Sequence, residues 1–185
     1  MRPERTSHPR TPCHPIERED GLRLTTSVLT SFALAGALAG FLPRTSRAGE
    51  AVPDVTVHTV DGKSWRISEL KGRPVIIDFW ATWCAPCKSS MPHLSAIQSR
   101  YKSRGLVVLG CSTDDDDPRV VRRFADRLGV TFSLATSDDH VLDAFGPIRG
   151  LPTTVYISRS GEIVRRVTGY IDAETMESYA KELLP

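Results

Sequence analysis

Two cysteines three positions apart, Cys84 and Cys87, stand in Trp83-Cys84-Ala85-Pro86-Cys87 directly after the apolar run Val75-Ile76-Ile77-Asp78-Phe79-Trp80. The pair therefore falls where a buried strand ends and a helix begins. A cysteine at the first turn of a helix lies beside unsatisfied backbone N–H groups and the positive end of the helix dipole, and both favour a thiolate over a thiol. Cys84 is expected to be the nucleophile. Cys87, one turn further in and more buried, is expected to attack the mixed disulfide formed on Cys84 and release the reduced client. A zinc knuckle would need two more ligands at metal spacing. Only His93 lies near, and the sequence holds no second cysteine pair, so no metal site is expected. The chemistry these residues suit is thiol-disulfide exchange, with the Cys84–Cys87 pair itself as redox centre and no further cofactor.

The ordered set Phe79-Trp80-Ala81-Thr82-Trp83-Cys84-Ala85-Pro86-Cys87-Lys88, then Pro92, then Gly150-Leu151-Pro152-Thr153-Thr154, resembles the thioredoxin superfamily, and within it the exported branch of TlpA, ResA and CcmG-like thiol-disulfide oxidoreductases. The resemblance covers about residues 52 to 185. It implies that Pro152 is cis and lies against the disulfide, and that the backbone of Leu151 pairs with the bound client strand. Physics adds only that a proline at the opening of the strand Thr153-Thr154-Val155-Tyr156-Ile157 costs no ladder hydrogen bond. Trp83 is expected at the client-binding surface, with Ala85, Pro86 and Lys88 supporting the active site. Pro86 resembles the residue of reducing thioredoxins more than that of strong oxidants.

Asp78 stands where thioredoxins keep a buried aspartate that relays protons to the resolving cysteine, whereas many relatives on the exported branch have asparagine. Under an apolar strand such a carboxylate would have a raised pKa and could exchange the Cys87 proton near neutrality. The bland alternative is an aspartate at a strand edge pointing to water. Ser90 occupies the place where relatives that reduce apocytochromes often carry glutamate, which moves the acid-base burden toward Asp78. Otherwise it is a helix-surface residue.

The remaining pattern supplies the scaffold. Val55 to Thr59 and Lys63 to Ile67 flank Asp61-Gly62, a short-hairpin signal. Cys87, Met91, Leu94, Gln98 and Tyr101 mark a helical stripe interrupted at Pro92, predicting a kinked helix that runs to about Arg104 and stops at Gly105. Leu106 to Cys111 reads as a buried strand. Asp117-Pro118 opens a helix with Val121, Phe124 and Leu128 as its buried stripe and Gly129 at its end. The run Asp114 to Asp117 is read as favouring that helix N-terminus rather than as a calcium site. Phe132 to Ala135 predicts a strand, Asp139 to Phe145 a short helix, and Thr153 to Ile157 with Ile163 to Thr168 a hairpin around Ser160-Gly161. Asp172 caps a last helix with Met176, Tyr179 and Leu183 facing inward. Strands and helices alternate in the middle and hairpins sit at both ends. The expected class is α/β: a thioredoxin fold, a mixed β-sheet with helices on both faces and an N-terminal β-hairpin extension.

The chain has 185 residues, 40% of them hydrophobic, enough for one good core. Its formal net charge of +2 belongs to residues 1 to 48, since residues 49 to 185 carry 17 Lys+Arg against 18 Asp+Glu. No basic patch with interleaved aromatics occurs, so nucleic acid is excluded as a partner. Residues 1 to 48 read as a leader and 49 to 185 as the thioredoxin-like domain. The uncharged stretch from Leu24 to Pro43, preceded by Arg18 and Arg23, has the form of an export signal, with Ser46-Arg47-Ala48 as cleavage site. The alternative is an uncleaved single-span membrane anchor. Either way a periplasmic or extracytoplasmic domain is expected. Cys13 precedes the apolar run and is no lipoprotein cysteine. Cys111 is expected to be a small core residue.

Three classes of function compete. The first is a thiol-disulfide oxidoreductase, in this branch a reductant of disulfide-containing client proteins fed by a membrane electron-donor thiol protein, and a monomer. The second is a peroxiredoxin-like peroxidase, which needs T-x-x-C, whereas Thr82 is only two residues before Cys84. The third is a thioredoxin-fold copper-delivery protein, which uses C-x-x-x-C with a distant histidine. Cys84 to Cys87 is one residue too short for that, and His140 reads as a surface residue.

Overall fold

The computed structural model describes residues 49–185, so the expectations for the leader, its cleavage site, the membrane anchor and Cys13 lie outside the described residues. Eight strands form one sheet: β1 (Glu50–Ala51), β2 (Thr56–Thr59), β3 (Ser64–Arg66), β4 (Val75–Trp80), β5 (Val107–Ser112), β6 (Ser133–Thr136), β7 (Thr153–Ile157) and β8 (Glu162–Thr168). Their order is β1-β8-β7-β4-β5-β6-β2-β3. The α-helices among the described residues are α1 (Ala85–Tyr101), α2 (Pro118–Arg127), α3 (Asp139–Ala144) and α4 (Ala173–Glu182). Strands β4, β5 and β6 run parallel, as the intervening helices α1 and α2 require, and the hairpins β2–β3 and β7–β8 are antiparallel. This is the mixed sheet expected from the alternation of elements.

Every residue of β4 and β5 is buried, because the central strands are covered on both faces. Strand alternation then sorts side chains into two cores. Ile76 and Trp80 join Cys84, Cys87, Met91, Leu94 and Met176 on the face of α1, α2 and α4. Val75, Ile77 and Phe79 join Val141, Phe145 and Cys111 on the face of α3. Cys111 is a fully buried core residue, as its apolar strand implied.

Local chemistry fixes the element ends. Asp117, Asp138 and Asp172 each cap a helix by accepting a backbone N–H, from Arg119, Val141 and Thr175. Gly62 takes φ +82° in the β2–β3 turn, and Gly105 takes φ +87° where a 3₁₀ turn, Lys102–Arg104, ends the extension of α1. Helix α1 is assigned as one continuous helix through Pro92.

Three details differ from the sequence pattern. Gln98, counted within an apolar stripe, is a polar bracket: its Nε2 donates to Leu106 O at 3.0 Å and its Oε1 accepts from Val108 N at 2.6 Å, tying α1 to β5. On α2, Ala125 is fully buried whereas Phe124 and Leu128 are half-buried. The short edge strand β1, paired with β8, carried no periodic signal because it has only two residues.

Candidate active site

Strand β4 delivers the chain to the active site, and Cys84 is the N-cap of α1. Its backbone is extended (φ −79°, ψ 104°), and its Sγ accepts the Cys87 backbone N–H at 3.2 Å. Pro86 occupies the first helical turn, where its missing N–H costs nothing. No acidic residue lies in that turn, so the helix N-terminus acts on Cys84 without a carboxylate opposing it there. Cys84 and Cys87 are joined in a disulfide, with Cα atoms 5.3 Å apart. Cys84 retains 4% exposure and Cys87 none, the ordering expected of an attacking and a resolving sulfur.

The surrounding sequence-predicted residues fall as follows. Trp83 is 71% exposed beside the pair, and Trp80 is buried beneath it. Lys88 places its ammonium 5.5 Å from the centroid of Phe124, whose ring stacks on Trp80. The Leu151–Pro152 peptide is cis. Leu151 and Trp83 wall the same hollow, so the turn before β7 lies beside the redox segment although the two are far apart in sequence. His140 is exposed on α3. Ser90 is not a surface residue: it is 1% exposed, and its hydroxyl donates to Cys87 O at 3.0 Å, consuming a carbonyl in the first turns of α1.

Asp78 does not point to water. It is fully buried on β4, and strand alternation sets it on the α1 face with Ile76 and Trp80. Its Oδ1 accepts from the Thr154 hydroxyl at 2.7 Å, and burial pushes its pKa up to about 7, the Thr154 hydrogen bond pulling weakly the other way. The opposing strand position is Gly110, where a Cβ would press on Phe132, Leu134 and Trp80 and force a neighbour to shift. A buried carboxyl group with a raised pKa thus lies on the sheet face that α1 covers. On the opposite face, burial and the charge of Asp78 raise the pKa of the Cys111 thiol far above its ordinary value, so Cys111 is inert as a nucleophile.

One residue of the site escaped the sequence reading. Asp114 does not serve the N-terminus of α2, a role that falls to Asp117 alone in capping. Asp114 turns inward at 9% exposure and accepts from Thr82 N at 2.9 Å, Thr82 Oγ1 at 2.8 Å and Ser112 Oγ at 2.6 Å. It therefore clamps the segment that carries Trp83 and Cys84. A signal existed: β4 and β5 are parallel neighbours with Trp80 opposite Ser112, so residues just past their C-terminal ends must meet.

Residues 47–184 match the family model described as Redoxin. The chain belongs to the Redoxin family. Among curated relatives, this redoxin is 34% identical over 141 residues to the thiol-disulfide oxidoreductase ResA of Halalkalibacterium halodurans, covering 76% of this chain and 79% of that protein. It is 32% identical over 139 residues to ResA of Geobacillus kaustophilus, covering 74% and 78%. Among solved structures, it matches a thiol:disulfide interchange protein of the thioredoxin family from Chlorobium tepidum with a TM-score of 0.68 and 27% identity, covering 74% of this chain and 97% of that one. The redoxin is thus a ResA- and CcmG-like member of the thioredoxin superfamily and a protein thiol-disulfide oxidoreductase, and its clients are disulfide-containing proteins.

Proposed function

We propose that this redoxin is an extracytoplasmic reductant of protein disulfides, receiving electrons from a membrane thiol protein and serving a process such as cytochrome c maturation or metal-oxidase assembly. The carrying observation is the placement of Cys84: an N-cap sulfur accepting a backbone N–H, slightly exposed, above a fully buried Cys87. The leader sequence supports export or tethering to the inner membrane by a single span. The peroxidase alternative gains no support, because the Thr82 hydroxyl is committed to Asp114.

In the proposed cycle, reduced Cys84 attacks a client disulfide docked beside Pro152, with the Leu151 backbone holding the client strand. One client sulfur leaves as a thiolate and the other becomes disulfide-bonded to Cys84. Asp78 takes the Cys87 proton, and the Cys87 thiolate attacks Cys84, releasing the second client thiolate. Two electrons have passed to the client, and Cys84–Cys87 is oxidised. Trp83 offers the exposed platform, Ala85 and Pro86 shape the turn, and Lys88 adds positive charge beside it. The pair itself is the redox centre, without metal or further cofactor, and the protein works as a monomer.

The test is trapping. Cys87→Ser should accumulate a Cys84-linked mixed disulfide with client proteins in cells, and Cys84→Ser should abolish turnover; failure of Cys87→Ser to trap any client would count against the assignment. Equilibration of the wild type with thiol buffers distinguishes direction. A potential near about −270 mV supports a reductant, and one near about −120 mV an oxidant.

A further inference from the structure

Trp83, Leu142, Ile148, Arg149 and Leu151 wall a hollow of ≈ 380 Å³ beside the redox pair. Arg149 also walls a second hollow of ≈ 330 Å³, together with Phe145, Arg166 and Thr168. The shared arginine joins them into one surface running from the redox segment past the cis turn to β8. Its chemistry changes along the way. The near part is apolar, with Trp83 largely exposed, whereas the far part carries the guanidinium groups of Arg149 and Arg166 and the carboxylate of Glu50.

Of the two guanidinium groups, only that of Arg149 has donors open to solvent and unpaired among the described residues. Arg149 is exposed and makes no ion pair among the described residues. Among the described residues Arg166 faces Glu50, with 3.7 Å between Nη2 and Oε1, and its Nη1 is buried with no hydrogen-bond partner among them. A guanidinium presents five N–H donors in a planar fork that suits a carboxylate. Glu50, on the two-residue edge strand β1 with a side chain 65% exposed, lines the same hollow and already faces Arg166, which leaves Arg149 as the cation open to a client carboxylate.

We propose that this surface selects client segments in which an apolar side chain next to the reactive cysteine is accompanied by an Asp or Glu about two to four residues away along an extended chain. The apolar group enters the hollow between Trp83 and Leu151, and the carboxylate pairs with Arg149. The inference rests on the oxidoreductase reading given under Proposed function. It concerns which client disulfides are met, while the electron transfer is unchanged: the Cys84/Cys87 dithiol becomes a disulfide, and the two electrons and two protons appear as two client thiols.

The test uses disulfide-linked homodimers of a nonapeptide, acetylated and amidated so that no terminal charge remains, with leucine beside the central cysteine and Glu, Gln or Lys three residues before or after it. The full chain, reduced with dithiothreitol and desalted, is mixed with each peptide, and single-turnover rate constants are read. A Glu peptide, in one of its two placements, should react about five- to tenfold faster than its Gln counterpart at low ionic strength, and the ratio should shrink in high salt. Arg149→Glu should bring the Glu-to-Gln ratio to unity or below, while Arg149→Lys keeps part of it. Equal rates for Glu and Gln peptides with the wild type, or a Glu advantage that survives in Arg149→Glu, would overturn the inference while leaving the oxidoreductase reading intact. Reduction of none of the peptides would overturn that reading and the inference with it.

Discussion

The Thr154 hydroxyl donates to Oδ1 of Asp78 at 2.7 Å, while Oδ2 of the same carboxylate is buried with no hydrogen-bond partner among the described residues. One satisfied oxygen does not offset the loss of water around a charge, which is why the folded pKa lies at about 7 against 3.8 for an ordinary aspartate. Between those two values the folded state holds a proton that the unfolded chain has released. Stability is therefore full below the unfolded pKa, falls as pH rises toward the folded pKa, and stays low above it. Asp78→Asn should stabilise the oxidised protein at pH 8.5 by up to about 4 kcal/mol, and change it little at pH 4. Urea midpoints at the two pH values measure this; an equal difference at both would mean that Asp78 does not titrate on unfolding.

The same substitution should cost activity. If Asp78 accepts the Cys87 proton, Asp78→Asn slows resolution of the mixed disulfide by on the order of a hundredfold, most strongly near neutral pH. Stopped-flow exchange across pH 5 to 9 reads the effect, and a rate unchanged across that range would remove Asp78 from the proton path.

Asp114 is the clamp on the redox segment. Replacing it by alanine removes acceptors from the Thr82 amide, the Thr82 hydroxyl and the Ser112 hydroxyl at once. A loss of about 2 to 3 kcal/mol in stability is expected, as for hydrogen bonds to a charged group. Amide hydrogen exchange at Thr82 should accelerate more than at Met91 in the middle of α1, which would separate local loosening from global destabilisation.

Gly110 is a packing requirement rather than a turn. A Cβ there would lie 2.8 Å from Phe132 Cε2 and 3.1 Å from both Leu134 Cδ2 and Trp80 Nε1. Gly110→Ala should cost about 1 to 3 kcal/mol through overpacking and alter the near-ultraviolet circular dichroism of Trp80. Retained stability with unchanged spectra would show that the Phe132 ring yields freely.

The redox motif, the strand before it and the helix after it are legible because each rests on local order, an apolar run and a cysteine pair, whereas the cis state of Pro152 is implied only by the family resemblance, most X-Pro bonds being trans. The caps at Asp117 and Asp172 are legible from local order too. Asp114 is not, since within four consecutive aspartates nothing local separates the one that turns inward from the three that face water. Its role follows from the parallel pairing of β4 with β5, a long-range fact. The contacts of Ser90 and Gln98 are not legible either, because helical periodicity sorts apolar from polar positions but does not say when a polar side chain finds a buried backbone partner. The arginine surface is likewise not legible, since Arg149, in the loop before β7, and Arg166, on β8, come to line one hollow only through the folding of β7 against β8.

Cys111 gives the folded state a built-in clock. Its sulfur is fully buried on the α3 face and has little thiolate character. In a chain carrying Cys13→Ser, with Cys84 and Cys87 held as their disulfide, an alkylating reagent finds no other thiol. The rate at which it labels Cys111 then counts the openings that separate β5 from its neighbours. Mass spectrometry of a single modified site would follow those openings without a fluorophore, a denaturant or any change to the active site.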